Sequence, residues 1–164
     1  MNQEDGKFRI VLYQPEIPQN TGNIARTCAA TGLPLHLIEP LGFKLSDRHL
    51  RRAGLDYWPH VRLFVHKSFE EFLETFNPQR CILYSTRGTI SYDEIAYRPG
   101  DCLIFGSETR GLPDDLLFSG RYPVAYIPID RNRVRSLNLS TAVGIVVFEA
   151  LRQTKTIMTK VFSA

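Results

Sequence analysis

No apolar run in this 164-residue chain reaches the roughly twenty residues that a membrane-spanning helix needs. The opening residues, MNQEDGK, lack the basic-then-apolar order of a signal peptide, so a cytoplasmic protein is expected. Cysteine is scarce. The three present, Cys28, Cys81 and Cys102, lie within apolar stretches and show no metal-ligand spacing with His36, His49, His60 or His66. They read as plain buried thiols, and no metal is expected. No GxGxxG follows the first strand-like run and no P-loop occurs, which argues against a nucleotide-dependent oxidoreductase on a dinucleotide-binding fold. Internal repeats, low-complexity tracts and linkers are also missing.

What remains has the makeup of one globular domain, residues 1–164, with 154–164 as a candidate tail that either frays or packs on a partner. Hydrophobic residues make up 43% and charged residues 23%, enough to build a core without disulfides. A net charge of +3 is too small to announce a nucleic-acid protein, but its placement is uneven. Arg48, His49, Arg51 and Arg52 form one cluster; Arg131, Arg133 and Arg135 form another.

Strand-like and helix-like patterns alternate. FRIVLY leads to a helix after Asn20, and PLHLIEP is a short buried strand between prolines. SDRHLRRAGL, from Ser46 to Leu55, reads as a basic helix that stops at Gly54. VRLFVH is the next strand, and SFEEFLETF has a serine cap, first-turn acids and Phe69, Phe72, Leu73 and Phe76 at helical spacing. RCILYS, DCLIFG and PVAYIPI have the continuous apolar character of strands covered on both faces. The fold class is therefore α/β, with a mostly parallel sheet and helices on both faces. Ligands bind such sheets beyond the carboxyl ends of the strands, here near 85–88, 106–111 and 128–138.

Three stretches carry chemistry. In PVAYIPIDRNRVRSLNLSTAVGIVVFEALR, a basic loop enters a helix with almost no polar face. Ser136, Asn138 and Ser140 are residue types that favour helix starts, where backbone N–H groups await acceptors. A helix apolar all round needs cover on both sides, and a second copy of the chain is the economical one, so a homodimer is expected. In NTGNIARTCAATG, Thr21 or Asn20 is the expected cap. Arg26 shares a face with Gly22 and Asn23, so its guanidinium is expected beside a small, open patch. In CLIFGSETRGLP, glycines at 106 and 111 allow close approach to backbone, with Glu108 and Arg110 in the turn. Glu108 also reads as a turn residue or a partner for Arg110, and Asn138 and Ser140 as simple caps.

NTGNIAR, FGSETRGLP and RSLNLSTAVGIVVFEAL, in this order across nearly the whole chain, resemble the SpoU branch of the SPOUT RNA methyltransferases. YQPEIPQNTGNIARTCAATG, LHLIEPLGF and RRAGLDYW are most similar to its minimal tRNA wobble-position ribose 2′-O-methyltransferases. The resemblance implies a C-terminal deep trefoil knot, bound S-adenosyl-L-methionine, a tRNA substrate and no added RNA-binding domain. It makes Arg26 catalytic, with Asn138 and Ser140 near the reacting ribose and Asn20 shaping the RNA approach. Tyr84, Gly106, Glu108, Ile127, Ser136 and Leu137 would border the cofactor. Arg48, Arg51 and Arg52 would touch RNA, and Tyr57 and Trp58 would stack on bases or pack in the core. A guanidinium holds its proton far above neutral pH, so Arg26 serves better as a phosphate grip that stabilises the forming alkoxide than as a base. The alternatives are ribose methylation at another tRNA position or in rRNA, and a non-catalytic RNA-binding factor of the same fold.

Overall fold

The computed structural model describes residues 6–51 and 56–155, with the side chain of Arg51 outside that description. Among the described residues, seven parallel strands form one sheet in the order β3-β2-β1-β6-β4-β7-β5. In chain order the strands are β1 (Arg9–Tyr13), β2 (Leu35–Ile38), β3 (Leu63–His66), β4 (Cys81–Tyr84), β5 (Ile90–Ser91), β6 (Cys102–Phe105) and β7 (Val124–Tyr126). The helices are α1 (Pro18–Thr31), α2 (Arg48–Arg51), α3 (Phe69–Phe76), α4 (Asp114–Leu117) and α5 (Leu139–Thr154).

Every residue of β2, β4 and β6 is buried, as continuous apolar runs require when both sheet faces are covered. β7 differs: only Ala125 is buried, because the sheet narrows there to the two-residue β5. Alternation of side chains sorts the strand residues into two cores. Ile10, Leu12, Leu35, Leu37, Ile82 and Leu103 pack under α1 and α5. Val11, Ile38, Leu83 and Ile104 pack with Phe69 and Phe72 of α3. The three cysteine thiols are buried, and burial pushes that of Cys28 up to about 12.

Helix ends show where local sequence rules hold. Ser68 caps α3 by accepting from the Glu71 N–H at 3.0 Å. Gly32, at φ +69°, closes α1 in the left-handed conformation that glycine adopts without penalty. The start of α1 departs from expectation. It begins at Pro18 rather than after Asn20, its N-cap residue Ile17 has no side-chain cap, and Asn20 and Thr21 are buried within the first turns. The basic helix also starts later than Ser46: it begins at Arg48, after a turn in which Asp47 accepts from the His49 N–H, and is described as far as Arg51. Gly54, Leu55 and residues 156–164 lie outside the described residues, as does Arg52.

Candidate active site

The sheet's carboxyl end opens into a cleft of about 360 Å³. Its floor is Tyr84, Phe105 and Ala125, the last or near-last residues of three neighbouring strands. The walls come from the segments that follow those strands: Ser85 and Thr86, then Gly106, Ser107, Glu108 and Gly111, then Ile127 and Ile129. Ile17 and Asn20 close one side from α1, and Ser136, Leu137, Asn138, Leu139 and Ala142 close the other from the entry to α5.

Two features fix the shape of this cleft. Gly106 packs so tightly that a Cβ there would sit 2.2 Å from the Gly111 carbonyl carbon, so the 106–111 turn closes only around glycine. Tyr84 is stacked on Phe105 at 4.7 Å between ring centroids, and its hydroxyl donates to that of Tyr97 at 3.0 Å. Burial, with Tyr97 beside it, raises the Tyr84 pKa well above its ordinary value. The phenol is thus a neutral donor held away from solvent.

The polar side chains are linked in sequence. Glu108 accepts the Glu16 N–H at 2.9 Å, the Ile17 N–H at 2.6 Å and the Asn20 Nδ2 at 3.3 Å. Asn20 Oδ1 accepts from Asn138 Nδ2 at 3.0 Å. Asn138 Oδ1 then caps α5, taking Ser140 N–H at 2.9 Å, Ser140 Oγ–H at 2.6 Å and Thr141 N–H at 3.3 Å. A carboxylate and two amides therefore join the starts of α1 and α5 to the turn after β6. α1 has no acid in its own first turn, and Glu108 supplies the missing negative charge and acceptors from about ninety residues away.

This accounts for what the sequence could not place. Glu108 faces α1 instead of pairing with Arg110, and its oxygens are engaged by protein donors. Asn20 is a buried relay in the cleft wall, 6% exposed, so its position differs from that of an RNA-facing surface group. Ser140 is turned onto Asn138 and does not border the cleft. Arg26 is exposed and lies outside the cleft, six residues along α1 from Asn20, or about 9 Å of helix rise. Nor is its neighbourhood open on the Gly22 side: Gly22 is buried, and a Cβ there would meet the Leu50 carbonyl oxygen at 2.7 Å.

The motifs that converge here match one family model, the SpoU rRNA Methylase family, over residues 7–148. The chain belongs to the SpoU rRNA methylase family. Among SpoU relatives, a tRNA (cytidine(34)-2′-O)-methyltransferase of Escherichia coli strain K12 is 49% identical over 150 residues, covering 89% of this chain and 93% of that protein. The protein of the same name from Burkholderia cenocepacia is 50% identical over 151 residues, covering 89% and 95%. A solved structure described as giving insight into the 2-OH methylation of C/U34 on tRNA superposes with a TM-score of 0.86 at 54% identity, covering 92% and 98%. An AdoMet-bound rRNA methyltransferase from Sinorhizobium meliloti, 27% identical with a TM-score of 0.79, matches 93% of this chain but 58% of its own.

Other SpoU-motif expectations have mixed positions. Arg48 is exposed on α2. Arg131, Arg133 and Arg135 are exposed on the loop that leads into the cleft wall, and Arg133 pairs with Asp130 at 3.1 Å. Trp58 and Tyr57 are both half-buried against the α1/α5 core, and the Tyr57 hydroxyl donates to the Gly22 carbonyl at 3.1 Å. Among the described residues no cluster of His, Cys, Asp and Glu could hold a metal, and no helix is long and apolar enough to cross a membrane.

Proposed function

We propose that this protein transfers a methyl group from S-adenosyl-L-methionine to the ribose 2′-hydroxyl of the wobble nucleotide, cytidine or modified uridine, in the tRNA anticodon loop. The observation that carries the reading is the convergence of three separated motifs on one cleft, in a chain about half identical to tRNA (cytidine(34)-2′-O)-methyltransferases.

The residues fit the cofactor. Phe105, Ile127, Ile129, Leu137 and Leu139 give an apolar slot for a flat base, and the turns after β6 and β7 put backbone polar groups on its rim. When bound, the cofactor supplies an electrophilic methyl group on a sulfonium. Tyr84, Gly106, Ile127, Ser136 and Leu137 would hold it. Glu108, Asn20 and Asn138 act as positioning residues that keep the two helix starts in register around it.

Arg26 approaches from the RNA side, outside the cleft. Its guanidinium grips a phosphate beside the target nucleotide and lowers the cost of negative charge on the attacking oxygen. Arg48 and the exposed arginines of the 131–135 loop extend that basic surface, with Arg51 and Arg52 as further candidates. A homodimer is supported by α5, whose outer face exposes Phe148 at 57% and leaves open space at Gly144. We further infer a single cytoplasmic domain that carries the trefoil knot characteristic of the fold.

The test is methyl transfer from labelled S-adenosyl-L-methionine into bulk tRNA, with nuclease mapping of the labelled nucleotide. Label on a wobble ribose, reduced by about 10²- to 10³-fold in Arg26→Ala, is the expected result. Cofactor binding with no transfer to tRNA would reject the substrate, and no cofactor binding would reject the enzyme.

A further inference from the structure

Arg26 lines a second hollow of about 360 Å³, separate from the cleft, together with Ala29, Ala30, Asp56, Tyr57 and His60. We propose that this hollow receives one unpaired nucleobase of the substrate RNA, next to the nucleotide being methylated, and favours a base that carries an exocyclic amine. The inference rests on the RNA substrate proposed above and adds a base-reading site to it.

The chemistry of the lining selects the ligand. Two alanines from consecutive positions of α1 give one wall no long side chain, leaving the neighbouring aromatic ring approachable. That ring is held in place, because the Tyr57 hydroxyl donates to the Gly22 carbonyl at 3.1 Å. The Arg26 guanidinium lies 5.9 Å from the Tyr57 ring centroid, so a flat aromatic face and a flat cation are adjacent. Unpaired bases stack on either kind of surface, and an already fixed ring loses little freedom when they do.

Asp56 makes the hollow selective. A carboxylate only accepts hydrogen bonds and repels phosphate, so a hollow built solely to grip the RNA backbone would be weakened by it. It is complementary to the N4 amine of cytosine or the N6 amine of adenine, and it meets the O4 of uracil acceptor against acceptor. The exposed Arg26 and His60 then remain for the sugar-phosphate of the same nucleotide. Asp56 is itself exposed, so it is not already buried in a structural bond of the core.

The test uses full-length tRNA transcripts in which each anticodon-loop nucleotide other than the methylated one is replaced in turn by an abasic residue. Affinity is measured for the unaltered protein, Tyr57→Leu and Asp56→Asn, with cofactor titration as the check that each variant is folded. One loop position is expected where base removal weakens binding by about ten-fold in the unaltered protein but by less than about two-fold in Tyr57→Leu. At that position, with cytosine, adenine and uracil placed there in turn, Asp56→Asn should abolish the preference for an amine-bearing base while keeping the stacking. If base removal costs the same in Tyr57→Leu as in the unaltered protein at every position, the proposal is overturned. Loss of selectivity in Asp56→Asn decides the amine contact even if Tyr57→Leu binds no cofactor. Failure of the functional reading looks different: the unaltered protein would then methylate no tRNA at all.

Discussion

Two polar arrays cross this molecule, one on each flank of the sheet, and they do opposite things. At the cleft end, Glu108, Asn20 and Asn138 connect three distant segments and border a cavity. At the other end, Arg9, His36 and His66 form a chain across β1, β2 and β3, with Arg9 Nη1 3.3 Å from His36 Nε2 and His36 Nδ1 2.9 Å from His66 Nε2. Arginine can only donate, so His36 Nε2 accepts and its Nδ1–H donates to His66. Phe64, Phe72 and Phe76 close around His36, with ring centroids 4.6 to 5.2 Å away, and it lines neither the cleft nor the hollow beside Arg26. Burial alone does not mark a functional group. What separates the arrays is that one ends on open space and the other is sealed by aromatic rings.

The comparison is broken most severely at Glu108. Glu108→Ala leaves two backbone N–H groups and the Asn20 amide without their acceptor, at a cost of about 3 kcal/mol given that water reaches part of this region. Because Ile17 and Asn20 are cleft walls, cofactor affinity should fall together with stability. Chemical denaturation and cofactor titration of the same preparation check this. Unchanged cofactor affinity in a destabilised variant would make the array structural only, like its counterpart.

At the histidine end the expected effect is on stability, with a definite sign. Burial, with Arg9 and His66 nearby, lowers the His36 pKa from 6.5 to about 3, and burial lowers that of His66 against an opposing pull from Glu71. Both groups fold neutral while the unfolded chain takes up protons below about pH 6.5, so this contribution is complete above that pH and is lost as pH falls toward 3. For His36 the loss is on the order of 2 to 3 kcal/mol by pH 4.5. Urea melts at pH 7 and 4.5 should show the slope in the unaltered protein and a flatter one in His36→Asn. An equal slope in both would assign acid sensitivity elsewhere.

The two ends were unequally legible in the sequence. Strands β2, β4 and β6 announce themselves because covered parallel strands need unbroken apolar runs, and Ser68 and Asn138 are where local capping rules place them. The start of α1 escapes local rules because the residue that holds the Glu16 and Ile17 N–H groups leading into it is Glu108, remote in sequence, and local rules search only neighbouring residues. β5 and α4 have two and four residues, too few for any periodicity to register. His36 and His66 show no metal-ligand spacing with the cysteines, and nothing else in the sequence links them. Their pairing depends on strand register, in which Leu35 lies beside Leu63 and Ile38 beside His66, and register is not written in composition. The convergence of the three motifs was legible by resemblance, but the position of Arg26 outside the cleft was not, since it depends on how α1 packs against its neighbours.

The smallest expected effect is the most discriminating. Asn138 does two jobs with one amide: Oδ1 caps α5, and Nδ2 donates to Asn20. Asn138→Asp preserves the cap, because aspartate is as good an N-cap and its charge suits a helix start. It also places an acceptor against Asn20 Oδ1, which breaks the relay or forces the Asn20 amide to turn over and lose its bond to Glu108. Stability should therefore change by no more than about 1 kcal/mol, while cofactor affinity falls several-fold. Asn138→Ala removes the cap as well and should cost about a further 1 kcal/mol. If the aspartate variant binds cofactor as the unaltered protein does, the relay is dispensable and the cap alone orders the entry to α5; if it loses affinity with the cap intact, the bond between the first and third motifs is what holds the cleft in shape.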